Sequence, residues 1–312
     1  MAEPLRLRVY DARFDSAFTA RILDLLKDDA RIRAQAEPLD PSLGGRRALI
    51  AFTAPSDEDL GHYDWIHVAG AGIDKISRSV RATGQHPIMT RTIGCMGQQM
   101  AEYTLSYILA DFQRHQERRD MEQQQRWVPG LEAQRYLFET DVAILGTGAI
   151  GSNVAATLRP LVRKVIGLSR RGTPKPPFDQ ALSFANLADL PAPQVIVSAL
   201  PNTPDTEGLL GKPFFETLGD VLFLNIGRGE PVDEEALRQA LDANHVRAAV
   251  LDVFKEEPLP PQHWAWTDER VTVTSHLSGI TRPEDTVAAF LKHLDEAENG
   301  QPHSTVDPYR GY

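Results

Sequence analysis

Short apolar runs alternate along this chain with longer stretches whose apolar residues recur at helical spacing. That alternation predicts a parallel sheet with helical crossovers. Leu5-Arg6-Leu7-Arg8-Val9-Tyr10 reads as the first strand, and residues 18–26 place Phe18, Ile22, Leu25 and Leu26 on one helix face. Ala48-Leu49-Ile50-Ala51-Phe52 and Trp65-Ile66-His67-Val68-Ala69 read as further strands. The second runs into Gly70-Ala71-Gly72, a turn with almost no side chains. Residues 100–118 predict one long helix carrying Tyr103, Tyr107, Ile108 and Phe112. Trp127-Val128-Pro129-Gly130 breaks the helical pattern and marks the passage to the second half. From the strand at 141–145 to Gly279 the strand–helix alternation reads as regular, interrupted by an exposed Pro174-Lys175-Pro176-Pro177 loop. A last helix from about Pro283 to Glu298 leads to the tail Val306-Asp307-Pro308-Tyr309-Arg310-Gly311-Tyr312.

At 312 residues the chain is long for one core, so two domains are expected, and 42% apolar residues suffice for both. The net charge of −10, from 33 Lys and Arg against 43 Asp and Glu, argues against nucleic acid as a partner. The cations of residues 114–119 are interleaved with Gln, His and Glu and read as a helix surface. The single cysteine, Cys95, forms no internal disulfide and fits a reducing compartment. The opening Met1-Ala2-Glu3-Pro4-Leu5-Arg6 lacks the basic stretch and apolar run of a leader, and no apolar segment reaches the roughly 18 residues of a membrane span. A cytoplasmic protein without a membrane partner is the expectation. No metal is called for.

The strand Val142-Ala143-Ile144-Leu145 runs directly into Gly146-Thr147-Gly148-Ala149-Ile150-Gly151, and a helix follows over residues 152–161. This is the context a dinucleotide turn needs. Gly146 makes the tight turn, Gly148 admits a pyrophosphate, and Gly151 lets helix pack on strand, with the phosphates against the helix N-terminus. The next strand, 164–168, ends in Ser169-Arg170-Arg171. A carboxylate here would serve the ribose 2′-hydroxyl of NADH, whereas a hydroxyl and two guanidiniums suit a 2′-phosphate. NADPH is therefore the expected coenzyme, with NADH possible.

Three residues further on carry the chemistry. Arg228 follows the buried strand 221–226, within Asn225-Ile226-Gly227-Arg228-Gly229-Glu230. A cation at a strand's C-terminal edge can bind a carboxylate and polarise the adjacent carbonyl. Glu257 lies beyond the strand at 249–254, and His276 ends the strand at 271–275. A carboxylate against an imidazole favours the protonated ring, the acid that a ketone reduction needs. Singly, each reads as well as a solvated arginine, a surface carboxylate and a hydrogen-bonded loop histidine. Jointly they describe hydride and proton transfer to a small 2-keto acid.

The glycine turn, Asn225-Ile226-Gly227-Arg228-Gly229, Leu251-Asp252-Val253-Phe254 with Glu257-Pro258-Leu259-Pro260, and the strand ending at His276 resemble the D-isomer-specific 2-hydroxyacid dehydrogenases. Met100-Ala101-Glu102-Tyr103, Ser169-Arg170-Arg171 and the ending from Val306 to Tyr312 carry a closer resemblance, to the glyoxylate/hydroxypyruvate reductase A-like branch. The resemblance implies two doubly wound parallel-sheet domains, of Rossmann and flavodoxin-like type, with a cleft between them. Residues 1–102 and 281–312 would form the substrate-binding, flavodoxin-like domain, and 103–280 the NAD(P)-binding Rossmann domain. It also implies roles. Arg228 would orient the keto acid, His276 would be the general acid/base, and Glu257 would hold and charge it. The turn Gly70-Ala71-Gly72 would offer backbone N–H groups, from Ala71 and Gly72, to the substrate carboxylate. Leu200, Pro201, Ile226 and Asp252 would line the nicotinamide side, Gly227, Arg228, His276 and Gly279 would also contact the cofactor, and Thr206 matches a segment near it. A homodimer is implied by the resemblance alone. Trp127 matches the family's linker tryptophan, and its expected role is packing at the hinge or dimer contact. Ser275 replaces the proline usual before the histidine, and Leu277-Ser278-Gly279 replaces Ile-Ala-Gly.

The expected activity is NAD(P)H-dependent reduction of small 2-keto acids to D-2-hydroxy acids. Bulkier keto acids such as phenylpyruvate stay open, because Trp264-Ala265-Trp266 could enlarge the pocket. Formate oxidation moves no proton to oxygen and typically has glutamine where Glu257 stands; phosphite oxidation would keep similar groups. A nucleotide-sensing, corepressor-like binding protein is the reading from another class, and such proteins carry extended tails.

Overall fold

In the computed structural model, residues 3–12, 16–127, 134–300 and 305–309 are described. Two compact units emerge, Met1–Met96 with Thr281–Tyr312, and Gly97–Ile280. The first unit opens with β1 (Leu5–Tyr10), α1 (Ser16–Leu26), β2 (Ile32–Gln35), β3 (Arg47–Ala51), β4 (Trp65–Val68), α2 (Asp74–Thr83) and β5 (Ile88–Arg91). All neighbours pair in parallel, in the order β2-β1-β3-β4-β5. That is the flavodoxin-like strand order. The strands are apolar on both faces because helices cover both.

The second unit takes up α3 (Met96–Phe112) from its second residue and continues with α4 (His115–Gln123), β6 (Asp141–Leu145), α5 (Ala149–Leu158), β7 (Lys164–Ser169), β8 (Gln180–Ser183) and β9 (Val195–Ser198). It continues through α6 (Lys212–Phe215), β10 (Val221–Asn225), α7 (Glu234–Asp242), β11 (Val246–Leu251) and β12 (Val271–Val273). Its parallel sheet has the order β12-β11-β10-β9-β6-β7-β8. The order reverses at β6 and β9, and an open sheet of this kind takes ligands at the carboxyl ends beside that switch. One core packs Ala143, Leu145, Ile166, Leu168 and Ile196 of the sheet against Phe214, Phe215, Leu237 and Leu241.

The chain returns to the first unit with α8 (Pro283–Glu298). Val287, Phe290 and Leu294 of α8 join Phe18, Ile22 and Leu26 of α1 over Leu7, Val9 and Ile50. Ile73, Ile76 and Val80 fill the opposite face against Leu49, Ile66 and Val68. Phe290 stacks on Trp65 with ring centroids 4.3 Å apart, a geometry worth about 0.5–1.5 kcal/mol beyond its burial.

Three expectations need correction. The long helix over 100–118 is two helices, because Arg114 is left-handed at φ 53 and its guanidinium folds onto Glu117. No glycine or proline marks that break. The alternation after β6 is not regular: β7 passes to β8 through the exposed Pro174-Lys175-Pro176 loop without a helix, and only a 3-10 segment, Phe184–Asp189, joins β8 to β9. The strand expected at 249–254 starts three residues earlier, because Val221 pairs with Val246 across a register shift that polar Arg247 conceals in the sequence. From Val128 on, the Trp127-Val128-Pro129-Gly130 break lies outside the described residues, as do Arg310, Gly311 and Tyr312 of the tail.

Candidate active site

The glycine turn stands where β6 hands over to α5. Gly146 has φ +98, and a Cβ there would fall 2.8 Å from the Ala199 carbonyl oxygen. A Cβ on Gly151 would fall 1.9 Å from the Gly146 oxygen, so α5 docks only on glycine. Around Gly148, by contrast, the space a Cβ would take is open, and no side chain caps the helix it starts. Open room in front of a helix N-terminus with uncapped N–H groups fits a pyrophosphate. Thr147, Gly148, Ala149 and Ile150 line this edge, none of them buried.

Ser169 ends β7 and accepts a hydrogen bond from Gly172 N at 3.2 Å. Arg170 and Arg171 after it are exposed, and Arg170 Nη1 reaches Asp205 Oδ2 at 3.2 Å. The hydroxyl of Thr206 turns inward instead, donating to the Pro201 carbonyl at 2.6 Å and accepting from Thr203 N at 3.0 Å. It staples the loop after Leu200-Pro201. Leu200 and Ile226 are buried, and Ile226 N donates to Ser198 O.

Arg228, Glu257 and His276 follow β10, β11 and β12, three adjacent parallel strands, and therefore share one sheet edge. Asn225 Nδ2 donates to Arg228 O at 2.8 Å, and Gly227 N donates to Asn225 Oδ1, which folds the strand end into a fixed turn. Glu257 Oε2 meets His276 Nδ1 at 2.9 Å while Oε1 accepts from Phe254 N at 3.2 Å. Burial pushes the Glu257 carboxyl up, but the His276 hydrogen bond and charge, Phe254 N–H and the charge of Arg228 outweigh it and hold it below its ordinary value. An ionised carboxylate thus fixes the ring by Nδ1 and leaves Nε2 as the other nitrogen. With 37% and 31% of the two side chains exposed, the pair contributes little stability, on the order of 0.2–1 kcal/mol, and its consequence is orientation.

Asp252, expected beside the nicotinamide, is 1% exposed and already heavily used. Its Oδ1 accepts from Thr274 Oγ1 at 2.6 Å and Leu277 N at 2.9 Å, and its Oδ2 accepts from Ser278 N at 3.0 Å. The sequence assigns neither Thr274 nor Tyr103 a role at the site: a threonine at a strand end reads as packing, and Tyr103 enters only as a helix residue within the stretch that carries the resemblance. Gly279 follows this loop and is half-buried.

In the first unit, Gly70-Ala71-Gly72 follows β4, and Arg91 Nη1 donates to the Ala71 carbonyl at 2.8 Å. A depression of about 440 Å³ in the second unit is lined by Trp264, Arg238 and Arg270 but by none of the three chemical residues. Arg270 is spent on Asp268 and Asp242 there, so we assign it no chemistry. Among the described residues, no group of three His, Cys, Asp or Glu side chains is placed to hold a metal. No described helix is long and apolar enough to cross a membrane.

Residues 105–278 match the family model described as the D-isomer specific 2-hydroxyacid dehydrogenase, NAD binding domain. The chain belongs to this family. It is therefore an oxidoreductase of the 2-hydroxyacid dehydrogenase type, with the family's NAD-binding domain in its second unit. Over 263 residues it is 36% identical to glyoxylate/hydroxypyruvate reductase A of Serratia proteamaculans (strain 568), covering 81% of this chain and 82% of that one. A D-isomer specific 2-hydroxyacid dehydrogenase of Xanthobacter autotrophicus Py2, solved with NADPH and MES, superposes with a TM-score of 0.84 at 27% identity, covering 98% of this chain and 99% of that one. An NADPH-dependent glyoxylate/hydroxypyruvate reductase of Sinorhizobium meliloti, solved with NADP and sulfate, shares the fold with a TM-score of 0.84 at 24% identity, covering 99% and 100%.

Proposed function

We propose that the chain reduces small 2-keto acids of the glyoxylate and hydroxypyruvate type to D-2-hydroxy acids with NADPH. The observation that carries this reading is the His276–Glu257 pair, with the charge of Arg228 acting on it, on the edge of the sheet that also bears the glycine turn. The relatives with NADPH or NADP bound, and the reductase named for glyoxylate and hydroxypyruvate, support the same reading. NADH is the second coenzyme it would accept.

The reduced nicotinamide, when bound, supplies the hydride. Gly146 to Gly151 and the start of α5 would hold its pyrophosphate, Ser169, Arg170 and Arg171 its 2′-phosphate, and Leu200, Pro201, Ile226, Gly227 and Gly279 would line the nicotinamide side. Arg228 binds the keto-acid carboxylate and draws electron density from the neighbouring carbonyl. In the first unit, Ala71 and Gly72 would be the backbone N–H donors to a carboxylate. His276 delivers a proton to the oxygen on which negative charge develops, and Glu257 stabilises the charged ring before it does so. Oxidation of the hydroxy acid runs the same proton steps backwards. We further propose a cytoplasmic homodimer, with Trp127, whose side chain is 95% exposed in the single chain, at the contact.

The test is a spectrophotometric screen of 2-keto acids, from glyoxylate and hydroxypyruvate to phenylpyruvate, with NADPH and NADH in parallel. Oxidation of NADPH by the small acids is the expected result. Coenzyme binding without turnover on any acid would instead support a nucleotide-sensing protein, and comparable or better efficiency with NADH would overturn the coenzyme preference.

A further inference from the structure

The segment that carries His276 is held in an unusual way. His276 has φ 55, a left-handed conformation that costs a non-glycine residue on the order of 1–2 kcal/mol and persists only where surrounding bonds over-determine it. Those bonds converge on Asp252. His276 N donates to the Asp252 carbonyl at 2.8 Å, while Leu277 N and Ser278 N donate to its carboxylate oxygens at 2.9 and 3.0 Å. The left-handed turn is what aims two successive N–H groups at one carboxylate. Ser275 brings no ring to fix its own φ, so hydrogen bonds, not covalent geometry, set the path of the chain here.

One further donor completes the carboxylate. Thr274 Oγ1 lies 2.6 Å from Asp252 Oδ1 and 2.7 Å from the Tyr103 hydroxyl on α3. An ionised carboxylate only accepts, so the Thr274 proton points at Asp252, and Tyr103 must then donate to Thr274. Burial pushes the Tyr103 phenol above its ordinary range and keeps it a donor. Tyr103 O–H donates to Thr274 Oγ1, and Thr274 O–H donates to the Asp252 carboxylate, which also accepts from the N–H groups of Leu277 and Ser278 beyond His276. The two hydroxyls run in one direction and polarise each other, and the carboxylate they end on is the common acceptor that ties Thr274 to the turn at His276.

We propose that Tyr103 and Thr274 are positioning residues for the proton transfer. Through the Asp252 carboxylate they fix the left-handed turn that presents the His276 ring to Glu257 on one side and to the substrate on the other. They touch neither reacting atom. The inference rests on His276 being the acid, and His276→Ala in the same assay separates the two claims.

The experiment measures kcat, KM, the pH profile of kcat/KM, and NADPH affinity by fluorescence, for Thr274→Val, Thr274→Ser, Tyr103→Phe and the double variant Tyr103→Phe/Thr274→Val. Thr274→Val keeps the shape and removes the relay; kcat should fall about tenfold, which corresponds to about 1.4 kcal/mol. Its pH profile should shift while NADPH affinity stays at the wild-type value. Thr274→Ser should restore both. Tyr103→Phe should fall in the same direction by less, and the double variant should be no worse than Thr274→Val, because residues in one chain are coupled. Wild-type kcat and pH profile in Thr274→Val, or losses that simply multiply in the double variant, would overturn the proposal. A parallel loss of NADPH affinity would also overturn it, assigning the network to coenzyme binding instead. If Thr274→Val does not fold, Tyr103→Phe, which removes one hydroxyl only, decides by the same readouts. Should His276→Ala retain wild-type turnover, the fault lies with the functional reading and not with the relay.

Discussion

In the first unit, His67 sits within β4 with 0% of its surface exposed and both ring nitrogens on threonine hydroxyls, Thr90 at 2.7 Å and Thr92 at 3.0 Å. In the second, His276 lies past the end of β12 with Nδ1 on a carboxylate and 37% of its side chain exposed. Trp65 Nε1 also donates to Thr90, and since each threonine hydroxyl can donate or accept, the pair satisfies both nitrogens of the ring without any charged partner. That arrangement suits a neutral ring. Around His276 the partner is an ionised acid, Glu257, on which the charge of Arg228 also acts. On the proposed function, one residue type would do opposite work according to whether its neighbours are hydroxyls inside a sheet or charges at a sheet's edge.

Removing the edge imidazole is the strongest way to break the comparison. His276→Ala should lower turnover by roughly 10²–10⁴-fold, the usual loss of a general acid, with NADPH affinity unchanged in a fluorescence titration. His67→Gln should leave turnover within about twofold of wild type, because an amide replaces the ring's hydrogen bonds inside a sheet remote in chemistry from the substrate. If both variants lose activity alike, the edge histidine has no special role.

Glu257→Gln sharpens the same contrast by removing charge without shape. A charge-assisted hydrogen bond of about 1.5–3 kcal/mol corresponds to a fall in kcat of roughly 10- to 10²-fold. Steady-state kinetics at saturating NADPH would measure it. Retention of wild-type kcat would mean that the carboxylate only fastens the loop through Phe254 N.

These residues were legible in the sequence for one physical reason: parallel strands all end at one edge, so Arg228, Glu257 and His276, each following a strand, had to gather. The glycine turn was legible because Gly146 and Gly151 occupy positions where a Cβ has no room. The helix break at Arg114 was not, since its sequence contains no breaker and the left-handed residue is held by contacts, among them its guanidinium on Glu117 at 2.6 Å. Nor was the Tyr103–Thr274 bond, whose partners stand 171 residues apart. Patterns of period two or 3.6 report which face is buried; they carry no information on which hydroxyl meets which carboxylate.

The buried histidine makes a prediction of its own through pH. Burial, and after it the charge of His293, lowers His67 to about 3 from an ordinary 6.5. His293, in turn, has Glu296 at 3.0 Å. The unfolded chain therefore binds a proton below 6.5 that the folded chain refuses until about 3. His67 contributes full stability above 6.5 and loses it progressively as the pH falls toward 3, at up to about 1.4 kcal/mol per pH unit. Urea unfolding of wild type and His67→Gln across that interval should show the wild type losing stability more steeply. Equal slopes would mean that the ring accepts a proton in place.

The smallest expected effect concerns the other end of the same sheet edge. Arg170 is held by Asp205 at 3.2 Å, with 56% and 69% of their side chains exposed, so the pair is worth at most about 1 kcal/mol. A coenzyme 2′-phosphate would compete with Asp205 for that guanidinium, and the carboxylate would also repel the phosphate. NADH brings no such group and leaves the pair as it is. Asp205→Asn should therefore lower KM for NADPH by about two- to fivefold and leave KM for NADH unchanged, since 1 kcal/mol is a factor of about five. Arg170→Ala should do the reverse, raising KM for NADPH alone. If Asp205→Asn alters both coenzymes equally, the pair shapes the loop after β9 rather than the choice between them.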